Sequence, residues 1–205
     1  MRNQRPDLSK LILASGSKHR AKILRDAGLE FEQHASTLDE RALEAPLDAE
    51  GILPEDRAVI LAEAKAEDVS KRFPGSWVIG CDQILSLDNE VLHKVDDMDQ
   101  ARRRLLSFSE KTHFLHSAIV LVKDGETLWR HVSPCAMKVR KLSPEYVGRY
   151  CAQAGNEILS SVGAYQIEGL GANLFEDIGG DLFSIIGLPL LPLLAELREQ
   201  GVIDG

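Results

Sequence analysis

The chain has 205 residues, and its 44% hydrophobic content excludes disorder as the main state and permits one sizeable core. Its 24 basic and 32 acidic residues give a net charge of −8 at pH 7, which argues against duplex nucleic acid as a partner. Three distant cysteines, a polar start and no long apolar run predict a cytoplasmic protein without disulfides or a membrane partner.

The first third of the chain alternates predicted strands and helices. A buried strand is expected at 11–14, followed by a helix at 18–27 that Ser17 would cap. A second helix is expected at 54–72. The segment 42–54 mixes proline, glycine and acids, which predicts a surface loop, either an insertion or a mobile flap.

Antiparallel strands dominate the middle of the chain, and helices return at the end. The pattern predicts a hairpin of 77–85 and 91–94, a helix at 99–106, strands at 113–122 and 127–139, a helix at 143–154 and a C-terminal helix within 188–201. We therefore expect a single α/β domain over 1–205, with a mixed twisted sheet flanked by helices. Two lobes would enclose a central cleft, the usual place for a ligand.

A run of small and basic residues lies where the first strand gives way to the first helix. Unpaired N–H groups and the helix dipole make such a junction a site for phosphate, and Lys18, His19 and Arg20 add positive charge to it. The alternative is that Ser17 only caps the helix and the three cations form a solvated face. The junction is not a Walker A loop, which needs a GxxxxGK[ST] pattern.

An acidic residue, Asp82, interrupts the apolar strand VIGCDQIL. A buried carboxylate is costly unless it is paired or functional, although Asp82 could also simply end the strand. Asp39 and Glu40 supply further carboxylates. If either meets Asp82 across the cleft, the oxygen-rich site would suit Mg²⁺ or Mn²⁺.

Two further sets of residues are ambiguous when taken singly. Lys65, Lys94 and Lys111 are each most simply read as solvated side chains. The glycine-rich segment 163–172 contains Gln166 and Glu168, which could bind the edge of a base. The alternative reading of that segment is a polar connector.

Taken in order, these stretches resemble the Maf family of nucleoside triphosphate pyrophosphatases. The family pattern includes LASxSPRR, a DE pair, LAxxKA, GxDxxV, KTH, GAYxIQGxGA and GLP. The matching stretches cover nearly the whole chain: 13–20, 38–40, 61–66, 78–85, 92–95, 110–113, 163–172 and 185–189. The resemblance implies a Maf/ITPase-like fold, a nucleoside triphosphate substrate, Mg²⁺ or Mn²⁺ as cofactor, and a homodimer.

The resemblance also implies roles for individual residues. Asp82 would accept a proton from the attacking water near the metal, Glu40 would be its acidic partner at the metal, and Lys94 would be a catalytic cation facing the triphosphate. The remaining positions implied to bind substrate are Ser15, Ser17, Arg20, Lys65, Gln83, Lys111, Gln166 and Glu168.

Several positions depart from the family pattern. Lys18 and His19 replace the Pro and first Arg of SPRR, and His93 replaces the glycine of a GKP-like turn. Glu168 replaces a common Gln, and a carboxylate would favour a base edge rich in N–H donors, as guanine has. Gln83 directly after Asp82 is a feature that resembles the branch of the family linked to 7-methyl-GTP. The stretch GAYQ resembles the branch linked to dTTP and UTP. The sequence therefore does not decide which base the protein prefers.

Three functions are compatible with these features. The first is house-cleaning hydrolysis of canonical or modified nucleoside triphosphates to monophosphate and pyrophosphate, the work of a hydrolase acting on acid anhydrides. The second is a nucleotide-binding regulator of septum formation with little turnover. The third is a phosphatase that releases orthophosphate.

Overall fold

The computed structural model describes residues 10–49 and 51–204; the predicted features at residues 1–9, 50 and 205 lie outside it. The strands are β1 (Leu11–Leu13), β2 (Glu32–Gln33), β3 (Trp77–Leu87), β4 (Glu90–Leu92), β5 (Thr112–Lys123), β6 (Glu126–Val139) and β7 (Phe175–Gly179). The α-helices are α1 (Lys18–Asp26), α2 (Glu40–Ala49), α3 (Pro54–Ser70), α4 (Met98–Ser107), α5 (Pro144–Ala154), α6 (Leu182–Ile186) and α7 (Leu190–Glu199). Two 3-10 helices span Gly155–Ser160 and Leu170–Leu174.

The strands form one mixed sheet with the order β2-β1-β3-β5-β6-β7, and β4 pairs with the end of β3. β1 is parallel to β2 and β3, whereas the other pairs are antiparallel. Asp124 and Gly125 connect β5 to β6 with φ values of 50° and 81°, the left-handed conformation that a tight hairpin requires. The mixed α/β sheet predicted from the sequence is therefore confirmed.

Buried hydrophobic residues form three clusters that divide the sheet along its strands. Two clusters cover opposite faces of the first half of β3: one packs against α3 and the other against α1 and α7. The third cluster includes the end of β3, the start of β5, the end of β6, and α4 and α5. Asp82 and Gln83 lie in β3 at the boundary between the first two clusters and the third, where the sequence predicts a cleft between lobes.

Helix α3 approaches β3 unusually closely at Gly80. A Cβ atom at this position would lie 2.3 Å from the carbonyl oxygen of Ala62 and 2.7 Å from Cβ of Ala66. Only glycine leaves room for this crossing. The close packing brings Lys65, on the same helix, over Asp82, two residues further along the strand.

The predicted loop at 42–54 is wrong for its first part, because 40–49 forms helix α2. Asp39 Oδ1 accepts hydrogen bonds from the N–H groups of Arg41 and Ala42, which satisfies the start of the helix. Leu43 and Leu47, one turn apart, pack against the α3 side of the sheet. This burial stabilises the helix despite Pro46 within it.

A buried aromatic group anchors the glycine-rich segment 163–172. His113 of β5 is fully buried, stacks on Phe108 at 4.2 Å and shares a 2.7 Å hydrogen bond with the hydroxyl of Tyr165. Burial, with a smaller contribution from the charge of Arg104, lowers the pKa of His113 to about 3, so the ring is neutral. The segment that carries Gln166 and Glu168 is thereby tied to the sheet.

Two findings bear on the predicted compartment. The three cysteines are buried free thiols. Among the helices described, none combines the length and the apolar character that crossing a bilayer requires.

Candidate active site

The centre of the candidate site is a lysine held between two carboxylates. Lys65 Nζ on α3 donates a 2.6 Å hydrogen bond to Asp82 Oδ1 on β3 and lies 3.2 Å from Glu40 Oε1 at the start of α2. Asp82 and Lys65 are each 7% exposed, whereas the Glu40 side chain faces solvent. The structure thus brings together three predicted site residues from three separate elements.

A fourth charged residue, Glu44, was not predicted. It lies one turn after Glu40 on α2, and its Oε2 is 3.2 Å from Nδ1 of His93. Burial raises the pKa of Glu44; His93 and Lys65 oppose this shift, and the charges of Asp82 and Glu40 add to it. The four-residue spacing of Glu40 and Glu44 would have indicated a shared helix face, but the sequence favoured a loop there.

The small-residue turn after β1 is fixed by Arg20. Its guanidinium donates hydrogen bonds to Gly187 O at 2.8 Å, Cys81 O at 3.0 Å and Ser15 Oγ at 3.2 Å. Ser17 caps α1, as predicted, by accepting the N–H of Arg20 at 3.3 Å. Arg20 therefore joins the predicted phosphate loop to the strand residue that precedes Asp82.

Gln83 points to the opposite face of the sheet from Asp82, as successive strand residues do. Its side-chain amide donates hydrogen bonds to Ser117 Oγ at 2.8 Å and Ile185 O at 3.0 Å. Ser117 in turn donates to Ser184 O at 2.6 Å. Gln83 thus holds α6 against the sheet, a set of contacts that the sequence did not predict.

The structure places the other two predicted lysines differently. Lys94 is exposed and follows His93, so its backbone is held near Glu44 while its side chain is open to solvent. Lys111 lies 3.0 Å from Asp88, in the turn that ends β3. Asp88 is six residues beyond Asp82, roughly 20 Å along an extended strand. Lys111 is therefore not gathered around Asp82.

The two predicted base-binding residues lie on the segment that His113 anchors. Gln166 is half-buried, and its carbonyl accepts the N–H of Gly169 at 3.2 Å. Glu168 Oε1 lies 3.0 Å from Nδ1 of His19, in the first turn of α1. The segment is thereby linked to the predicted phosphate loop.

A divalent cation fits the donor set only in part. Over the ranges 10–49 and 51–204, no three His, Cys, Asp or Glu side chains are placed to hold a metal ion between them. Glu40 and Asp82 offer carboxylate oxygens on two sides of Lys65. Mg²⁺ commonly takes one or two protein carboxylates and completes its octahedron with substrate phosphates and water. The two carboxylates therefore suit an ion that arrives with the phosphates.

The fold and this arrangement define an α/β protein whose site pairs the buried carboxylate of Asp82 with the ammonium of Lys65, and Arg20 links this site to the small-residue turn after β1. The family model for Maf-like proteins matches residues 10–200, and the chain belongs to that family. A 7-methyl-GTP pyrophosphatase of Brucella suis biovar 1 is 59% identical over 96% of this chain and 98% of its own length. Proteins of the same name from Rhizobium etli and Bartonella henselae are 53% and 50% identical over 96% and 95% of this chain, and 98% of their own lengths.

Proposed function

We propose that the protein hydrolyses a nucleoside triphosphate to a monophosphate and pyrophosphate, and that its substrate is 7-methyl-GTP. The enzyme class predicted from the sequence, a hydrolase acting on acid anhydrides, is confirmed by the family and by the names of the relatives. The single observation that carries the site assignment is the buried Asp82 carboxylate held by Lys65 at 2.6 Å.

In this proposal Asp82 accepts a proton from water. Lys65 donates its hydrogen bond to Oδ1 of Asp82. Among the described residues the structure shows no hydrogen bond to Oδ2 of Asp82, so Oδ2 is available to a water molecule. A carboxylate that orients and deprotonates water prepares it for attack on the α-phosphorus. The bond from that phosphorus to the bridging oxygen then breaks, and pyrophosphate leaves.

Two sets of groups would neutralise the negative charge of the triphosphate. Lys65 contributes an ammonium group beside Asp82, and the turn after β1 offers the unpaired N–H groups at the start of α1. Lys94 is exposed, and its side chain is free to turn toward a bound triphosphate. Arg20 holds that turn against β3 rather than pointing freely at solvent. A Mg²⁺ or Mn²⁺ ion held by Glu40 and Asp82 would supply further neutralisation of the leaving pyrophosphate.

The proposal of 7-methyl-GTP is supported by the names of the relatives and by Glu168. A carboxylate only accepts hydrogen bonds, and guanine presents an N1–H and an amino group side by side. This reasoning favours the 7-methyl-GTP branch over the dTTP and UTP branch. Lys111, paired with Asp88, has no part in this site as the structure stands.

The regulator without turnover is not favoured by the relatives' names. The test is to incubate purified protein with canonical nucleoside triphosphates and 7-methyl-GTP, with Mg²⁺ or Mn²⁺, and to quantify monophosphate, pyrophosphate and orthophosphate. Pyrophosphate in equal amount to monophosphate supports the proposal. Binding without any product would support the regulator, and orthophosphate as the first product would support the phosphatase.

A homodimer and a cytoplasmic location remain part of this proposal. Buried free thiols at Cys81, Cys135 and Cys151 are compatible with a reducing compartment. Light scattering of the purified protein measures the mass in solution, for which the dimer predicts twice the 22.6 kDa of one chain.

A further inference from the structure

One edge of β3 has a gap beside Asp82. β1 pairs with this edge as far as Ile79, and β4 pairs with it from Leu85 onwards, while β5 pairs with the other edge along its length. Among the described residues, no strand pairs with 80–84 on the first edge. The turn after β1 therefore enters the gap from one end, and the chain that leaves β4 enters it from the other.

Lys94 lies on the chain that leaves β4, two residues beyond the strand. β4 is antiparallel to β3, so this chain runs back along β3 toward Asp82. The Lys94 side chain is exposed, and no hydrogen bond or ion pair joins it to the residues that the structure describes. Lys65, by contrast, is already held by the carboxylates of Asp82 and Glu40. Lys94 therefore brings to the gap a positive charge that is paired with no described carboxylate.

Two contacts fix the short segment that carries Lys94. On one side of it, Val95 is 6% exposed and packs in the hydrophobic cluster that includes α4 and α5. On the other side, Nδ1 of His93 lies 3.2 Å from Oε2 of Glu44 on α2. The Glu44 side chain is 21% exposed, and α2 packs against the α3 side of the sheet, so the contact has a firm anchor.

We propose that Glu44 and His93 are positioning residues for Lys94: they hold the chain that leaves β4 so that the Lys94 ammonium meets the phosphates that leave as pyrophosphate. This role rests on the proposed function. The contact lies beside the site, since the charge of Asp82 raises the pKa of Glu44 and the charge of Lys65 lowers it. A glycine, which the family pattern has at position 93, carries no side chain to make such a contact.

The test measures kcat/KM for 7-methyl-GTP with Mg²⁺, and the affinity for inorganic pyrophosphate with Mg²⁺ by calorimetry, which needs no turnover. Glu44→Asp keeps the negative charge but shortens the side chain, and His93→Ala removes the imidazole. Each is expected to lower kcat/KM and to weaken pyrophosphate binding about threefold, as for a partly exposed contact. The double variant should lose no more than either single variant, because both remove the same contact.

Two further variants separate positioning from a merely structural role. In the Lys94→Met background, Glu44→Asp and His93→Ala should cause no further loss, because no ammonium is left to position. A structural role predicts the same threefold loss in both backgrounds. His93→Asn should keep wild-type values, because its amide N–H lies close to the position of Nδ1 and can donate to Glu44.

The matched control is Glu176→Asp. It shortens a carboxylate in the same way, at an exposed pair with Lys138 whose atoms lie 3.3 Å apart. Glu176 lies in β7, at the end of the sheet order and three strands from β3. Neither kcat/KM nor the affinity for pyrophosphate should change in this variant.

Failure of this proposal is distinguishable from failure of the proposed function. Wild-type values in both Glu44→Asp and His93→Ala, wild-type values in Lys94→Met, or equal losses in both backgrounds would each overturn the positioning role. If pyrophosphate binding shows the expected dependence on Lys94 but 7-methyl-GTP yields no pyrophosphate, the positioning role stands and the activity falls. Absence of pyrophosphate binding by the wild type would overturn the positioning role as well.

Discussion

Replacement of Lys65 by methionine tests the electrostatic centre of the site. Methionine keeps most of the length and apolar volume of lysine, so the main loss is the ammonium group. Asp82 would then be a buried carboxylate without its 2.6 Å partner, and breaking such a pair costs 3–5 kcal/mol. Glu40 is 63% exposed in its side chain and can turn to water, so its share is small. We expect the free energy of unfolding to fall by about 3 kcal/mol.

Urea unfolding at pH 7.5 measures this loss. The double variant Lys65→Met with Asp82→Asn should regain part of it, because the amide carries no charge to leave uncompensated. Lys22→Met is the matched control, since Lys22 pairs with Asp26 at the exposed surface, where such a pair contributes at most about 1 kcal/mol. A Lys65→Met protein as stable as the wild type would refute the reasoning that Asp82 depends on Lys65.

Three further variants test the packing and titration of the fold. Gly80→Ala places a Cβ 2.3 Å from the carbonyl oxygen of Ala62, so we expect a loss of about 2 kcal/mol or more in the same unfolding assay. His113→Gln tests the buried imidazole. Because its pKa is about 3 when folded and near 6.5 when unfolded, the unfolded chain gains a proton first as the pH falls, and stability drops by about 2 kcal/mol between pH 7 and pH 5. His113→Gln should lack this part of the drop, and an unchanged pH dependence would contradict it. Arg20→Lys should lower kcat/KM about tenfold or more, since one ammonium cannot reach Gly187, Cys81 and Ser15 together; an unchanged kcat/KM would show that this junction does not govern catalysis.

Asp82 shows how far local sequence leads to the site. Its carboxylate interrupts an apolar strand, and the cost of burying it predicts a partner. The sequence does not say which lysine that partner is. Lys65 is selected by the close crossing of α3 over Gly80, a tertiary contact between residues far apart in the chain.

Helix α2 shows where sequence reasoning fails. Pro46 and the surrounding acids favour a loop, but Leu43 and Leu47 find a hydrophobic surface that only the folded sheet provides. Because this segment was predicted as a loop, Glu44 was not recognised as a site residue. Glu40 and Glu44 share a face only when the segment is helical.

The pairing of His19 with Glu168 was also beyond sequence reasoning. Both residues were recognised separately as departures from the family pattern, 149 positions apart. Their contact depends on the anchoring of the segment 163–172 by His113 and Tyr165. Long-range contacts of this kind leave no periodic signal in a single sequence.

The most direct test of the central claim compares wild-type protein with Asp82→Asn on 7-methyl-GTP in the presence of Mg²⁺, with all phosphate products quantified. The account predicts 7-methyl-GMP and pyrophosphate in equal amounts from the wild type. It predicts that turnover falls at least about a hundredfold in the variant, because an amide cannot accept the proton. The variant should remain folded, because the amide keeps the shape of the carboxylate. Turnover by Asp82→Asn near the wild-type rate, or release of orthophosphate instead of pyrophosphate, would contradict it.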